Sequence, residues 1–119
     1  MKNPIIHISP LYDFPIDGSQ FYRLQKKEGC YLLYDRNKGI IYAGKSSDLY
    51  KRIQTHVCSS FSNDIKYFRI LQIEGSYSYH ELEKYLIIRF SPKYNTQWVP
   101  KIKYDLNFKH RLGDLTDYE

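Results

Sequence analysis

The fold is decided by residues 29–44, which read GCYLLYDRNKGIIYAG. This segment holds two runs of strand-forming residues around an Asp-Arg-Asn-Lys-Gly sequence, an arrangement that is typical of a β-hairpin. A four-residue loop pairs Tyr34 with Gly39. In that register Tyr31 lies directly opposite Tyr42, and directly opposed side chains share a face of the sheet, with Cβ atoms roughly 5 Å apart.

Three further elements follow the hairpin. Apolar residues at helical spacing predict that the first and third are helices, and alternation predicts that the second is a strand. Ser46 or Ser47 can cap the first helix, and Pro92 stops the second. The predicted segments are residues 47–58, 65–73 and 77–91. The predicted fold class is therefore α+β, with a small three-stranded antiparallel sheet flanked by helices.

The segments outside this core are read as extensions. Prolines and glycine break residues 1–18, which we expect to be irregular, and residues 19–28 predict a short helix. The far end of the chain contains a possible strand at residues 101–106 and is acidic after it. The predicted parts of the chain are an N-terminal arm, a core and a C-terminal extension, at residues 1–28, 29–95 and 96–119.

The composition is typical of one basic domain. A chain of 119 residues with 42% hydrophobic residues is enough for a single core. The formal net charge of +5 favours an anionic partner, and nucleic acid is the commonest one. The two cysteines form neither a zinc pattern nor a disulfide framework, and the N-terminus reads as neither signal peptide nor membrane span. We therefore expect a cytoplasmic protein without a membrane partner. Its many Tyr, Ile and Lys residues fit the AT-rich genome of a bacterium or phage.

A carboxylate interrupts the apolar face of the second predicted helix. That face is formed by Tyr79, Leu82, Leu86 and Phe90. Glu83 lies on its edge, and no Lys or Arg stands three or four positions away to form a helical ion pair. A carboxylate in an apolar face is costly unless a cation meets it. A metal ion and a tertiary partner such as arginine both satisfy this requirement.

Two polar residues, Arg52 and His56, border the apolar stripe of the first predicted helix, formed by Leu49, Ile53 and Val57. A guanidinium there can bind a phosphate in bidentate fashion, and an imidazole can accept a proton near neutral pH. The alternative is an ordinary solvated helix flank.

The hairpin resembles the signature of the GIY-YIG nuclease family. Residues 29–31 read GCY and residues 42–44 read YAG, with ten residues between them. These are similar to the family's two triplets. Cys30 and Ala43 replace the central isoleucines, and small apolar residues are tolerable at strand positions that face a core.

The resemblance extends beyond the hairpin to the whole of residues 29–95. Residues 45–53 read KSSDLYKRI, similar to the family's G-K-S-x-x-L-x-x-R-I run, and His56 follows the arginine as in the restriction-enzyme branch. Glu83 and Asn95 lie in segments that resemble E-x-x-L-I and P-x-Y-N, twelve positions apart.

The resemblance implies an endodeoxyribonuclease that hydrolyses a phosphodiester with one divalent metal ion per active site. Mg²⁺ is the implied ion, and Mn²⁺ can substitute. Glu83 is the implied sole protein ligand, which suits Mg²⁺ because this ion keeps several waters.

The remaining motif residues acquire implied roles from the same resemblance. Tyr31 is the implied general base, with a pKa lowered by nearby cations, and Tyr42 is the runner-up. His56 takes up the proton of the base. Arg52 binds the scissile phosphate and offsets its growing charge.

Four other motif residues have supporting roles in this reading. Lys45 assists in binding the phosphate, and Asn95 orients the phosphate or a water molecule. Gly29 and Gly44 let the backbone pack tightly at the site.

Several alternatives stay open. One is a structure-specific or low-specificity nicking nuclease, because a chain this short has no room for a separate recognition domain. Another is a non-catalytic nucleic-acid-binding module that has kept the fold, and a third is a ribonuclease. The expected partner is double-stranded DNA, with a homodimer or a partner protein supplying any sequence specificity.

Overall fold

In the computed structural model of the chain, residues 5–75 and 78–95 are described. Short 3-10 helices cover Tyr22–Leu24, His56–Cys58 and Ser62–Asp64. The strands and α-helices are β1 Ile5–Ile8, β2 Tyr12–Asp13, α1 Gly18–Phe21, β3 Gly29–Tyr34, β4 Ile40–Ser46, α2 Leu49–Thr55, β5 Tyr67–Glu74 and α3 Tyr79–Phe90.

The described strands form one antiparallel sheet in the order β1-β5-β3-β4, and β2 also pairs with β5. The predicted α+β class is confirmed, and the three predicted strands are present as β3, β4 and β5. The sheet also contains two strands that were not predicted, β1 and β2. β3 lies between β5 and β4 with all of its residues buried, which accounts for its continuous apolar run.

The N-terminal segment is not the irregular lead-in that its prolines predicted. β1 pairs with β5, from Ile5 opposite Glu74 to Ile8 opposite Leu71. Pro10 lies beyond the end of β1, so it limits the strand without interrupting its hydrogen bonds.

The helix predicted at residues 19–28 is also much shorter than expected. The Asp17 carboxylate caps α1 by accepting a hydrogen bond from the Ser19 N–H. The helical path continues as a 3-10 turn only to Leu24. Lys26 then has a φ of 59°, a left-handed conformation that a helix does not contain.

The hairpin forms where predicted, but with a different register. Tyr34 pairs with Ile40 instead of Gly39, and the next pair skips Ile41, which forms a bulge in β4. The Asp35 carboxylate organises the loop, because it accepts hydrogen bonds from two loop N–H groups, including that of Gly39 at 2.9 Å.

The changed turn pair and the bulge each move the pairing by one position, so it is shifted by two positions along β4. Tyr31 lies opposite Gly44, so the prediction that it directly faces Tyr42 is wrong. Because side chains alternate along a strand, a shift of two leaves Tyr31 and Tyr42 on the same face. Their ring centroids are 6.1 Å apart.

Helices α2 and α3 cover opposite faces of the sheet. Alternate residues of β3 reach the two cores, with Leu32 in the core under α3 and Leu33 in the core under α2. Burial of each such side chain contributes about 1.5–3 kcal/mol. The helices contribute Leu82, Tyr85, Leu86 and Ile87 from α3, and Leu49 and Ile53 from α2.

The start of α2 differs in detail from the prediction. Asp48, rather than either serine, is the N-cap, and its carboxylate accepts a hydrogen bond from the Lys51 N–H at 3.1 Å. The Ser46 hydroxyl instead accepts a hydrogen bond from the Asp48 N–H at 3.0 Å. Ser46 therefore shapes the turn that precedes the cap.

The end of α2 decides where His56 lies. α2 ends at Thr55, and His56–Cys58 continues as a 3-10 helix, which is wound more tightly than an α-helix. His56 is thereby buried, whereas Val57, predicted to extend the apolar stripe, is 47% exposed.

The second predicted helix is present as α3. The Ser78 hydroxyl caps it, and Ser91, with a left-handed φ of 43°, ends it directly before Pro92. Within the described residues, no helix is long and apolar enough to cross a membrane. The predicted strand at 101–106 and the acidic end lie outside the described residues.

Candidate active site

Tyr31 lies at the centre of the site, on β3 and fully buried. A Cβ atom on Gly44, across the hairpin, would lie 2.5 Å from Tyr31 Oη and 2.6 Å from its Cζ. Only glycine therefore lets the tyrosine ring cross β4. Gly29 permits a similar approach to α2, because a Cβ atom there would lie 2.8 Å from Leu49 Cδ1.

The Tyr31 hydroxyl has two polar partners. Its Oη lies 2.7 Å from Nε2 of His56, and the charge of Arg52 also acts on it. When His56 Nε2 carries no proton, the Tyr31 hydroxyl donates to it.

Tyr42 joins this cluster from β4. Its ring centroid lies 5.0 Å from that of His56, and together with Tyr31 it raises the pKa of Arg52. The fold therefore brings together four of the predicted site residues, although 25 positions separate Tyr31 from His56.

Burial controls the protonation states in the cluster. Burial raises the pKa of Tyr31 above its ordinary value, Tyr42 adds to the increase, and Arg52 offsets only part of it. The predicted lowering of this pKa by cations is wrong, because removing a phenolate from water costs more than the guanidinium returns. Burial and the charge of Arg52 lower the pKa of His56 to about 4. At neutral pH a neutral phenol therefore faces a neutral imidazole.

Glu83 supplies a carboxylate from α3 and is only 8% exposed. Burial raises the pKa of its carboxyl group, and the charge of Lys45 on β4 is the strongest opposing influence. Arg52 opposes the increase more weakly than Lys45 or His80 does. Among the cations that lower the pKa of Glu83, the exposed Lys45 therefore acts more strongly than Arg52.

The residues around Glu83 fit Mg²⁺ better than they fit a structural zinc ion. In the described ranges, no group of three or more His, Cys, Asp or Glu residues could hold a metal ion, which a structural zinc site requires. Mg²⁺ takes one or two carboxylates and keeps several waters. A single, largely buried carboxylate whose pKa is raised is compatible with that ion, since a bound cation favours the charged form.

Asn95 is buried against the backbone of β4. Its Oδ1 accepts a hydrogen bond from the Ala43 N–H at 2.8 Å, and its Nδ2 donates to the Ala43 carbonyl at 2.9 Å. The neighbouring Tyr94 N–H donates to the Ile41 carbonyl at 3.0 Å. The amide thereby fastens the chain after α3 to the outer edge of β4.

Phe61 also joins the aromatic cluster, although it was not predicted as a site residue. Its ring centroid lies 5.5 Å from that of Tyr42 and 5.9 Å from that of His56, and it stacks on Tyr94 at 4.3 Å. The Tyr94 hydroxyl donates to the Asp64 carboxylate. Tyr94 belongs to the P-x-Y-N segment and could have been found there, whereas Phe61 stands between serines in a loop and carries no comparable signal.

The family is identified by a match that covers nearly all of the residues described above. The model of the GIY-YIG catalytic domain matches residues 27–95, which is more than half of the chain. The chain belongs to the GIY-YIG family. GIY-YIG domains are nuclease domains, so the predicted family and the predicted enzyme class of nuclease are confirmed.

The relatives of this GIY-YIG domain include UvrABC system protein C from several bacteria. The protein of Mycoplasma mycoides subsp. mycoides SC is 34% identical over 82 residues, covering 60% of this chain and 14% of the relative. That of Lactobacillus gasseri is 33% identical over 81 residues, covering 62% and 14%. That of Borrelia duttonii is 27% identical over 96 residues, covering 75% and 15%. The chain thus spans only a small part of the length of these relatives.

Solved structures of the GIY-YIG N-terminal endonuclease domain of UvrC from Thermotoga maritima are also similar. The magnesium-bound structure is 21% identical, with a TM-score of 0.46, and the match covers 66% of this chain and 93% of that one. A point mutant of the same domain, bound to its catalytic divalent cation, has 18% identity and a TM-score of 0.48 over the same shares.

Proposed function

We propose that this GIY-YIG domain is a metal-dependent endodeoxyribonuclease that hydrolyses phosphodiester bonds. The observation that carries the proposal is the 2.7 Å hydrogen bond between Tyr31 and His56, beside the charge of Arg52. A proton acceptor and a nearby cation at one hydroxyl group are what a general base with a proton relay needs.

The relay starts from neutral groups. His56, with a pKa of about 4, is unprotonated at neutral pH and can accept the Tyr31 proton. Because burial raises the pKa of Tyr31, a free phenolate is disfavoured. Tyr31 therefore takes a proton from the attacking water as it passes its own to His56. Tyr42, which also raises the pKa of Arg52, is the alternative base.

The water that loses its proton attacks phosphorus, and the bond from phosphorus to the 3′ oxygen breaks. The leaving oxygen takes a proton from solvent, so the products carry a 5′-phosphate and a 3′-hydroxyl. Arg52 keeps an exposed guanidinium while it contacts the tyrosines, so it can bind the scissile phosphate and offset its growing charge. The exposed Lys45 assists from β4.

Glu83 would hold one Mg²⁺ ion per active site, and Mn²⁺ would substitute for it. When bound, such an ion supplies charge neutralisation at the phosphate and at the leaving oxygen. Support comes from the burial of this carboxylate, and from the magnesium-bound endonuclease domain of Thermotoga maritima UvrC.

Double-stranded DNA is the proposed substrate. The relatives named UvrABC system protein C support DNA. The formal net charge of +5 supports a nucleic-acid substrate of either kind. Sequence-specific cutting would call on a homodimer, a partner protein or the chain's own termini to read bases. A structure-specific or low-specificity nicking activity needs neither, and it is the second candidate. The close contacts among Tyr31, Arg52 and His56 disfavour a non-catalytic binding module.

The test compares wild type, Glu83→Ala and Glu81→Ala on supercoiled plasmid, with Mg²⁺ or with EDTA. Glu81 is an exposed carboxylate on the same helix, so its variant controls for loss of charge. We expect cutting by wild type and Glu81→Ala in Mg²⁺, and none by Glu83→Ala or in EDTA. Equal activity of the two variants would remove Glu83 from the site. Discrete bands would indicate defined sites, and a relaxed circle alone would indicate nicking.

A further inference from the structure

A second concave surface adjoins the candidate active site at the loop end of the hairpin. It has a volume of about 480 Å³. We call it the hairpin cleft and define it by its charged residues, Asp35, Arg36, Asp64, Lys66 and Lys93. Apart from Lys93, at the variable position of the P-x-Y-N segment, none of these residues belongs to the motifs by which the family was recognised.

The cations of the hairpin cleft are accessible. The side chains of Arg36, Lys66 and Lys93 are all exposed. Among the described residues, neither Arg36 nor Lys66 forms an ion pair. The Lys93 ammonium lies 5.1 Å from the centroid of the Tyr94 ring, a cation–π contact that leaves its charge intact.

The two carboxylates of the hairpin cleft, in contrast, already have partners. Asp35 accepts hydrogen bonds from two N–H groups of its own loop. Asp64 accepts one from the Tyr94 hydroxyl. Both carboxylates keep their negative charge, and Asp64 is exposed. The three exposed cations still outnumber them by one, so the hairpin cleft has a net positive charge that can meet an anion.

The hairpin cleft is joined to the candidate active site by direct contacts. Ile41, in its wall, directly precedes Tyr42. A chain of rings also links them, with Tyr42 5.5 Å from Phe61 and Phe61 4.3 Å from Tyr94, next to Lys93. A strand of duplex DNA carries one phosphate about every 3.4 Å along the helix axis, so a few nucleotides would cover this distance.

We propose that the hairpin cleft is a subsite for the phosphodiester backbone of one DNA strand, beside the scissile phosphate. The inference rests on the proposed function and adds the direction in which the substrate leaves the catalytic cluster. Arg36, Lys66 and Lys93 bind successive phosphates without reading bases, so they raise affinity and set the position of the strand.

The test measures binding of fluorescently labelled duplex and forked DNA by anisotropy, in EDTA so that nothing is cut. The variant Lys66→Ala/Lys93→Ala is compared with Lys26→Ala/Lys27→Ala, which loses the same charge outside the hairpin cleft. A lost phosphate contact lowers the slope of log affinity against log salt by roughly 0.9. We expect the cleft variant to lose roughly one to two slope units and tenfold in affinity near 0.15 M salt, with the control pair unchanged.

The proposal would be overturned if the two double variants had the same slope of log affinity against log salt. It would also be overturned if both lost the same affinity, because charge alone would then explain binding. A loss confined to labelled RNA duplex would assign the surface to RNA and also overturn it. Plasmid cutting at a saturating protein concentration distinguishes failure of the subsite proposal from failure of the proposed nuclease function. If wild type cuts but the cleft variant binds normally, the subsite fails and the nuclease function stands. If wild type neither binds DNA nor cuts it, both fail.

Discussion

The Tyr31 hydroxyl oxygen lies 2.7 Å from Nε2 of His56, and this contact connects the central strand β3 to the 3-10 turn that ends α2. Both side chains are buried, and each is nearly useless as an acid or base in isolation at neutral pH. Their hydrogen bond makes them a unit, because a proton that leaves Tyr31 has an acceptor already in place. Five predictions follow from the surroundings of this pair.

Tyr31→Phe removes the hydroxyl and keeps the ring. If Tyr31 is the base, the single-turnover rate of plasmid cutting should fall by roughly 10²–10⁴-fold, the usual contribution of general base catalysis. Tyr22→Phe, at a tyrosine that is 68% exposed, is the control and should cut normally. A Tyr31→Phe rate near that of wild type would transfer the role to Tyr42, whose own Phe variant should then be inactive.

Acidification should destabilise the fold through His56. Its pKa is lowered from 6.5 to about 4, so the unfolded chain binds a proton more readily than the folded one. The stability contributed by neutral His56 is full above pH 6.5 and is lost as the pH falls toward 4, by no more than about 3 kcal/mol. Urea denaturation of wild type and His56→Gln across this range measures it. Parallel pH curves for the two proteins would contradict the assignment.

Gly44→Ala should damage both stability and activity. The new Cβ would lie 2.5 Å from Tyr31 Oη, so the ring or β4 must shift. Overpacking of this kind typically costs about 1–3 kcal/mol. Gly39→Ala is the matched control, because its Cβ would meet the Asp35 carboxylate at an ordinary 3.4 Å. Thermal melts and cutting rates of the two variants measure these effects. A Gly44→Ala protein as stable and as active as Gly39→Ala would refute the packing argument.

Glu83→Gln separates metal binding from folding. A carboxyl group whose pKa is raised by burial destabilises the fold as the pH rises through that pKa, so at neutral pH a neutral amide should fold at least as well. A ligand that binds only the folded state raises the melting temperature. Mg²⁺ should therefore raise the melting temperature of wild type and leave that of Glu83→Gln unchanged. An equal Mg²⁺ response in both proteins would place the ion elsewhere.

Asn95→Ala tests whether this amide is structural. It removes two buried hydrogen bonds and leaves the Ala43 N–H and carbonyl without their partners, at a cost of about 1–3 kcal/mol. Asn37→Ala, in the exposed hairpin loop, should have little effect on stability. Urea denaturation and cutting rates should show a less stable enzyme in the first case only. A fully stable but inactive Asn95→Ala protein would favour the originally predicted contact with phosphate or water.

Local pattern was enough for the order and type of the core elements. The strand runs of the hairpin, the helical spacing of α2 and α3, and the stop at Pro92 are signals confined to short windows. The motif spacing identified the family for the same reason, since Tyr31, Arg52 and Glu83 each stand at a recognisable point within their own element. The prolines led to the wrong prediction of an irregular segment at β1, because that strand forms through pairing with β5 and not through its own composition.

The sequence by itself thus determined the α+β class and the family, and it supplied the candidate site residues. Only the tertiary structure decided the hairpin register, through the Asp35 carboxylate, and the inward position of His56, through the change in helical pitch at Thr55. It also decided that Asn95 binds the backbone of β4, and that burial raises the pKa of Tyr31 while it lowers that of His56. The physical reason is common to these cases. Register, contact and desolvation depend on what distant segments place beside a residue, and no local window of sequence contains that information.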